Sequence, residues 1–177
     1  MNEIKETSNV LNILSLEDSE LDFEIISEQL INAGFNLNIT RVVMEKEFKS
    51  FICQNSYDII LADYNLPQFD GFEALKLCRQ YCPDVPFICV SGSIGEIAAI
   101  ELLKMGAVDY VIKDRLERLP FAVKRALDEA KAKISRRQIE ESLHQSEEKY
   151  RTIFENVQDV FYQTDLAGII KEISPSI

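Results

Sequence analysis

The chain has 177 residues, 46% of them hydrophobic and 28% charged, a composition typical of a globular protein with one full domain and a smaller part. Asp and Glu number 30 against 19 Lys and Arg, a formal net charge of −11, so direct DNA binding is not expected. No apolar run reaches the roughly 20 residues that cross a membrane, and the first residues lack a signal-peptide pattern, so we expect a cytoplasmic protein.

The first 120 or so residues alternate short apolar runs with longer segments of helical periodicity. The apolar runs predict five strands, at residues 10–16, 37–42, 58–63, 86–90 and 108–112. The segments between them predict helices at residues 20–33, 45–54, 71–81 and 95–105. This alternation is typical of an α/β fold, a doubly wound parallel sheet with helices on both faces.

The four cysteines lie in apolar-periodic segments without the paired CxxC spacing of zinc and redox sites. We therefore predict that they are buried free thiols. They are Cys53, Cys78, Cys82 and Cys89.

After Pro120 no glycine or proline occurs before Gly168, and the intervening residues favour helix. We predict a first domain over 1–121, whose last helix continues to about 130, and a long linker helix over 122–157. Its apolar residues repeat at intervals of four and three, the pattern of a coiled-coil seam, so we expect a parallel homodimer through this helix. The repeat forms two seams that are out of phase, Val123, Leu127, Ala130 and Ile134, then Ile139, Leu143, Ser146, Tyr150, Ile153 and Val157. Such a break marks either a stutter in one rod or the boundary between a docked helix and a projecting one.

The last segment, 158–177, predicts a β-hairpin, because two strand-like runs, VFYQTD and IIKEIS, flank a short turn with Ala167 and Gly168. Two strands cannot bury a core of their own. Either the chain ends inside a second domain, or the hairpin packs on another part of this chain or on a second copy.

Polar residues gather at the predicted carboxyl ends of the strands, where open α/β sheets place their binding sites. Glu17 and Asp18 end the first strand and Asp63 the third, while Ser91 follows the fourth and Lys113 the fifth. Three carboxylates at one edge repel each other unless a cation lies among them, and such oxygen ligands suit Mg²⁺. The pattern predicts a site for Mg²⁺ and a phosphoryl group, with Asp63 as the nucleophile and with Lys113 and Ser91 binding phosphoryl oxygens.

These motifs resemble the response-regulator receiver domains of two-component signalling over about residues 9–130. The motifs are LSLEDSE, LADYNLPQFDG, VSG and DYVIK. The resemblance implies a flavodoxin-like sheet of strand order 2-1-3-4-5. It also implies that a histidine kinase or a histidine phosphotransfer protein phosphorylates Asp63.

The resemblance further implies a role for each neighbour of Asp63. Asp18 and Asp63 would bind Mg²⁺ directly, Glu17 through water, and Asn65 through its backbone carbonyl. A second group, Ser91 and Tyr110, would form a switch pair that turns inward on phosphorylation.

The sequence departs from the family after the fifth predicted strand, where the family often has Lys-Pro with a cis peptide and this chain has Lys113-Asp114. Without proline a cis bond costs several kcal/mol more, so we expect a trans peptide and a differently shaped loop. Further along, the run SEEKYRTIFENVQDVFYQTDLAGIIKEISPS resembles the first quarter of a PAS sensor domain.

Three functions follow from these patterns. The leading one is a phosphorelay module that passes a conformational signal from Asp63 along the helix after Phe121 towards a PAS-containing region. A phosphatase acting through Asp63 would need an acid two residues later, where Asn65 lies, so we expect slow self-dephosphorylation without turnover of foreign substrates. A third possibility is a dimerisation scaffold that takes no phosphate.

Overall fold

In a computed structural model of the chain, the structure describes residues 10–67, 69–92, 95–156 and 162–173. The chain divides into two compact units, and the division falls between Lys131 and Ala132. Within the described ranges, none of the helices combines the length and the apolar character that crossing a bilayer requires.

A five-stranded parallel sheet forms the centre of the first unit. The strands are β1 (Leu11–Leu16), β2 (Leu37–Val42), β3 (Ile59–Asp63), β4 (Phe87–Ser91) and β5 (Asp109–Ile112). They pair in the order β2-β1-β3-β4-β5, and each neighbouring pair is parallel. The predicted flavodoxin-like order 2-1-3-4-5 is therefore confirmed.

Helices cover both faces of this sheet. They are α1 (Glu20–Asn32), α2 (Glu45–Gln54), α3 (Gly71–Tyr81), α4 (Glu96–Lys104) and the first part of α5 (Leu119–Asn156). Because successive strand residues point to opposite faces, Ile60 packs in one core with Phe48 of α2, while Leu61 packs in a second core with Leu30 of α1 and Val123 of α5. Strands β3 and β4 are buried at every position, as expected for strands with helices on both sides.

Most predicted elements match the observed ones to within two residues at each end. The prediction for the cysteines is partly wrong, because Cys53 is exposed on α2 and Cys82 is only half-buried at the end of α3. Cys78 and Cys89 are buried as expected. The periodicity of apolar residues on a helix locates its buried side only approximately. A cysteine at the edge of that side is therefore easily assigned to the core.

The segment after β5 differs from a simple loop. No cis peptide occurs among the described residues, so the Lys113-Asp114 bond is trans, as expected. A 3₁₀ helix spans Lys113–Arg118 and is bent at Arg115, and α5 begins directly after it. The fifth strand is therefore joined to the last helix by ordered turns.

Helix α5 runs from Leu119–Asn156 without a break, so the predicted long helix forms as one element. Val123 and Ala126 near its start are buried in the first unit. In the second unit, the larger apolar side chains of the predicted seam are exposed, and its last member, Val157, lies outside the described residues. The exposed residues are Ile134, Ile139, Leu143, Tyr150 and Ile153.

The predicted hairpin is present in the second unit. Strand β6 (Tyr162–Thr164) pairs antiparallel with β7 (Ile170–Ile173). The turn is held by Asp165, whose carboxylate accepts hydrogen bonds from the backbone N–H groups of Ala167 and Ile169 at 2.9 and 3.0 Å.

We predict that alanine at two helix-ending glycines destabilises the first unit to different extents. Gly34 and Gly106 follow α1 and α4 with φ angles of 91° and 106°, which cost an L side chain about 1 kcal/mol. A Cβ at Gly34 meets no neighbour within 4 Å, whereas one at Gly106 would lie 3.1 Å from Nε of Arg79. Urea unfolding followed by circular dichroism should show a larger loss of stability for Gly106→Ala, and equal losses would contradict the packing argument.

Candidate functional site

The predicted site residues meet at the carboxyl edge of the sheet. Glu17 and Asp18 follow β1, Asp63 ends β3, Ser91 ends β4 and Lys113 follows β5. One carboxylate oxygen from each of Glu17, Asp18 and Asp63 lies within 4.8 Å of the other two. Parallel strands bring their carboxyl ends to the same edge, which is why residues so far apart in sequence become neighbours.

Lys113 is the centre of the contacts at this edge. Its Nζ lies 2.7 Å from Oδ2 of Asp63, 2.6 Å from Oδ2 of Asp22 and 2.8 Å from Oε2 of Glu17. The first two contacts are hydrogen bonds, whereas Oε2 of Glu17 is buried without a hydrogen bond of good geometry, so that contact is ionic only. One ammonium group thus contacts three carboxylates.

Burial and charge shift the pKa of two groups here. Burial alone would lower the pKa of Lys113, but its contacts with Asp22, Asp63 and Glu17 outweigh this effect and raise it, so the ammonium stays charged. Burial raises the pKa of Glu17, and Lys113 and the N–H of Ser19 offset only part of this rise. Ionised Glu17 is therefore less favourable in the folded protein than in water.

Arg41, near the end of β2, fixes the loop that carries the acidic pair. Its Nε and Nη2 donate to the backbone carbonyls of Glu17 and Asp18 at 3.0 and 2.8 Å. The N–H of Glu17 also bonds to the carbonyl of Val42 at 3.0 Å. The guanidinium thus holds the backbone carbonyls of both acidic residues.

The sequence analysis missed Arg41 and Asp22. Asp22 lies in the first turn of α1, where its N–H donates to the capping hydroxyl of Ser19 at 3.2 Å. Acidic residues are common in the first turn of a helix because they interact favourably with the helix dipole. The position of Asp22 in the sequence therefore did not indicate a contact with Lys113. Arg41 is the one basic residue of β2, and that was the only available signal.

The loop after Asp63 folds back closely on itself. The N–H of Asn65 donates to Oδ1 of Asp63 at 3.1 Å, and the N–H of Gly71 bonds to the carbonyl of Tyr64 at 3.2 Å. A Cβ at Gly71 would lie 3.1 Å from Cα of Tyr64, so this approach favours glycine. The contact of Asn65 with Asp63 runs through its N–H, and a metal contact through its carbonyl stays a prediction.

Ser91 and Tyr110 lie on neighbouring strands. Ser91 is fully buried, and its Oγ has no hydrogen-bond partner in the part of the chain that the structure describes. Ser91 pairs with Ile112, which lies two residues beyond Tyr110 on β5. Because side chains two residues apart on a strand point to the same face, Ser91 and Tyr110 lie on the same face of the sheet. Tyr110 is half-buried against the core that contains Phe48.

These groups fit both a divalent cation and a phosphoryl group. The carboxylates of Glu17, Asp18 and Asp63 supply the hard oxygen ligands that Mg²⁺ prefers, and Asp18 is exposed, which leaves a path for an ion from solvent. The ammonium of Lys113 and the hydroxyl of Ser91, which has no partner among the described residues, are donors suited to anionic oxygens.

Residues 13–124 match the family model described as the response regulator receiver domain. Among curated proteins, the chain is 29% identical over 103 residues to the regulatory protein VirG of Agrobacterium fabrum, covering 58% of this chain and 40% of VirG. It is 36% identical over 90 residues to the regulatory protein AtoC of Escherichia coli, covering 50% of this chain and 20% of AtoC. The chain thus spans less than half the length of these relatives.

Solved structures share the fold of this chain. A CheY-like receiver domain from Methanospirillum hungatei has a TM-score of 0.62 at 23% identity, covering 71% of this chain and 99% of its own. The receiver domain of the Pseudomonas aeruginosa sensor histidine kinase PA1611, solved with a magnesium ion in its active-site cleft, has a TM-score of 0.59 at 24% identity and covers 68% and 99%. The phosphorylated cyanobacterial phytochrome response regulator RcpA has a TM-score of 0.56 at 26% identity and covers 66% and 90%.

We predict that Glu17→Gln raises the free energy of unfolding at pH 7 when divalent ions are removed with EDTA. Because folding raises the pKa of Glu17, this group stabilises the fold fully below its ordinary pKa of 4.5, and that stabilisation is lost as pH rises through the folded value. Glutamine carries no charge and avoids the loss.

Urea unfolding of both proteins at pH 4.5 and pH 7 tests the sign, with exposed Glu20→Gln as the matched control. The stability gain of Glu17→Gln should grow with pH. A gain that shrinks with pH, or one equal to that of the control, would contradict the assignment.

Proposed function

The chain belongs to the response-regulator receiver family, and we propose that it accepts a phosphoryl group on Asp63 and passes the resulting conformational change along α5. The observation that carries this proposal is the 2.7 Å hydrogen bond between Lys113 and Asp63, beside the oxygens of Glu17 and Asp18. A carboxylate that attacks phosphorus needs cationic groups nearby to offset the charge of the phosphoryl oxygens. Here Lys113 is one such group, and the oxygens of Glu17 and Asp18 would hold a metal ion as a second.

The transfer is an in-line displacement at phosphorus. A carboxylate oxygen of Asp63 forms the new P–O bond while the bond from phosphorus to the donor breaks, and the leaving group keeps the electron pair. The donor is the phosphohistidine of a histidine kinase or of a histidine phosphotransfer protein, so the leaving group is an imidazole. Lys113 pairs with one phosphoryl oxygen, and the hydroxyl of Ser91 donates to another.

Mg²⁺ belongs to this proposal as the cofactor. Asp18 and Asp63 would hold it directly, Glu17 through water, and Asn65 through its backbone carbonyl. When bound, the ion supplies positive charge that offsets the charge on the phosphoryl oxygens. The magnesium ion in the PA1611 receiver domain and the phosphorylated state of RcpA, both of the same fold, support the assignment.

We assign the switch to Ser91 and Tyr110. The buried hydroxyl of Ser91 has no partner among the described residues, so a phosphoryl oxygen would satisfy it. Movement of Ser91 towards that oxygen opens space on the face of the sheet that it shares with Tyr110, and the half-buried ring turns inward. The charge change at Asp63 thereby alters the surface of β5.

The long helix is the route to the output. Its apolar residues beyond Lys131 are exposed and recur at intervals of four and three, whereas Val123 and Ala126 are buried in the first unit. We therefore propose that the part of the 122–157 helix beyond Lys131 forms a parallel coiled coil with a second copy. The hairpin in 158–177 would begin a PAS-like region that receives the signal.

The phosphoryl transfer is tested by intact-mass spectrometry after incubation with a small acyl phosphate and Mg²⁺. Wild type should gain the mass of one phosphoryl group, and both Asp63→Asn and wild type in EDTA should gain none. Asp58→Asn is the matched control, because Asp58 is exposed next to the opposite end of the same strand.

Circular dichroism must show that every variant is folded. Labelling of Asp63→Asn as in wild type would exclude Asp63 as the acceptor. No adduct on folded wild type, under conditions that label a known receiver domain, would favour the dimerisation scaffold that takes no phosphate.

We predict that Leu143→Asp weakens self-association by about tenfold or more, because it would place a charge in the buried seam. Analytical ultracentrifugation over a range of concentrations measures the effect. Gln145→Asp adds the same charge on another side of the helix and should leave association unchanged. A monomeric wild type, or equal effects of both variants, would contradict the coiled coil.

A further inference from the structure

We propose that Asp22 is a positioning residue that competes with the phosphoryl group for Lys113, and that it thereby slows phosphorylation and destabilises the phosphorylated state. The inference deepens the proposed function and rests on it. It assigns a role to a carboxylate that lies outside the acidic group suited to a metal.

The contacts of Lys113 are the starting point. An ammonium group has three N–H bonds and no acceptor, and three carboxylates lie within 2.8 Å of this one. The contact with Asp22 is the shortest of them, at 2.6 Å. Two of the N–H bonds of Lys113 donate to Asp22 and Asp63, and Glu17 lies against the ammonium as an ionic contact, so a phosphoryl oxygen has to compete with these carboxylates for the same group.

The three carboxylates differ in how easily water can replace the ammonium. The side chains of Glu17 and Asp63 are 1% and 9% exposed, so releasing either one would leave a poorly hydrated charge. The side chain of Asp22 is 34% exposed. Asp22 is thus the partner that Lys113 loses at the smallest cost.

Phosphorylation increases the negative charge beside Asp22. It replaces one carboxylate charge by a phosphoryl group that carries roughly −1.5 to −2. Once Lys113 has turned to that group, the charge of Asp22 has lost its cation and faces a stronger anion. Both the lost contact and the new repulsion disfavour phosphorylated Asp63.

The dipole of α1 does not account for the contact. Glu20 lies in the same first turn and supplies the same favourable charge at the N-terminus of the helix. It is exposed and is not among the three carboxylates that Lys113 contacts. Glu20→Gln is therefore a matched control, with the same change of charge in the same turn.

The experiment compares the rate of phosphoryl uptake from a small acyl phosphate, with Mg²⁺, in wild type, Asp22→Asn, Asp22→Glu and Glu20→Gln. Uptake forms the P–O bond at Asp63 and breaks the bond to the donor, whose carboxylate leaves with the electron pair. Asp22→Asn should react about two- to tenfold faster, as expected for removal of one nearby like charge. Asp22→Glu should restore a slow rate, and Glu20→Gln should match wild type.

A second measurement separates positioning from a merely structural effect. In protein labelled with ¹⁵N-lysine, the Nζ signal of Lys113 should differ between wild type and Asp22→Asn before phosphorylation. The difference should disappear after phosphorylation, because the contact with Asp22 is already broken in wild type.

Each contrary result has a distinct meaning. If wild type forms the adduct but Asp22→Asn reacts no faster than wild type or Glu20→Gln, the role of Asp22 is wrong and the phosphoacceptor stands. A lysine signal that differs equally in both states also overturns the role. If folded wild type forms no adduct, the proposed function fails and this inference falls with it.

Discussion

The ammonium group of Lys113 and the carboxylates around it are the interaction on which the rest of the site depends. Asp63 and Glu17 are almost fully buried, and two such charges side by side repel each other strongly in an interior of low polarity. Lys113 follows a different strand, β5, and it makes this concentration of negative charge tolerable. Burial nevertheless raises the pKa of Glu17, and Lys113 offsets only part of this rise.

The scaffold makes this arrangement precise. Parallel strands deliver Glu17, Asp63, Ser91 and Lys113 to one edge, and the two cores on either face hold those strands in place. Arg41 fixes the acidic pair from the neighbouring strand. A charge added at Asp63 would therefore act on side chains that the sheet and Arg41 hold in place. Such rigid surroundings allow a local change of charge to alter the conformation of the domain.

The connection between β5 and α5 links the site to the rest of the chain. Lys113 is the first residue of the 3₁₀ helix Lys113–Arg118, and α5 begins directly after that helix. A change in the contacts of Lys113 thus occurs six residues before a helix that continues into the second unit. The exposed apolar seam on that helix gives the proposed signal a surface on which to act.

The sequence alone determined the fold class and the acidic edge, because alternating apolar runs and the polar residues that end them are local patterns. The strand order was expected only from the resemblance to a family, since no local pattern specifies which strands pair. Tertiary structure alone decided three features: the contact of Asp22 with Lys113, the hydrogen bonds of Arg41 to two backbone carbonyls, and the exposure of Cys53. Each depends on the distance between atoms of different elements, or on which side of a helix meets the core. Local spacing does not encode these distances, since they are set when the helices pack on the sheet.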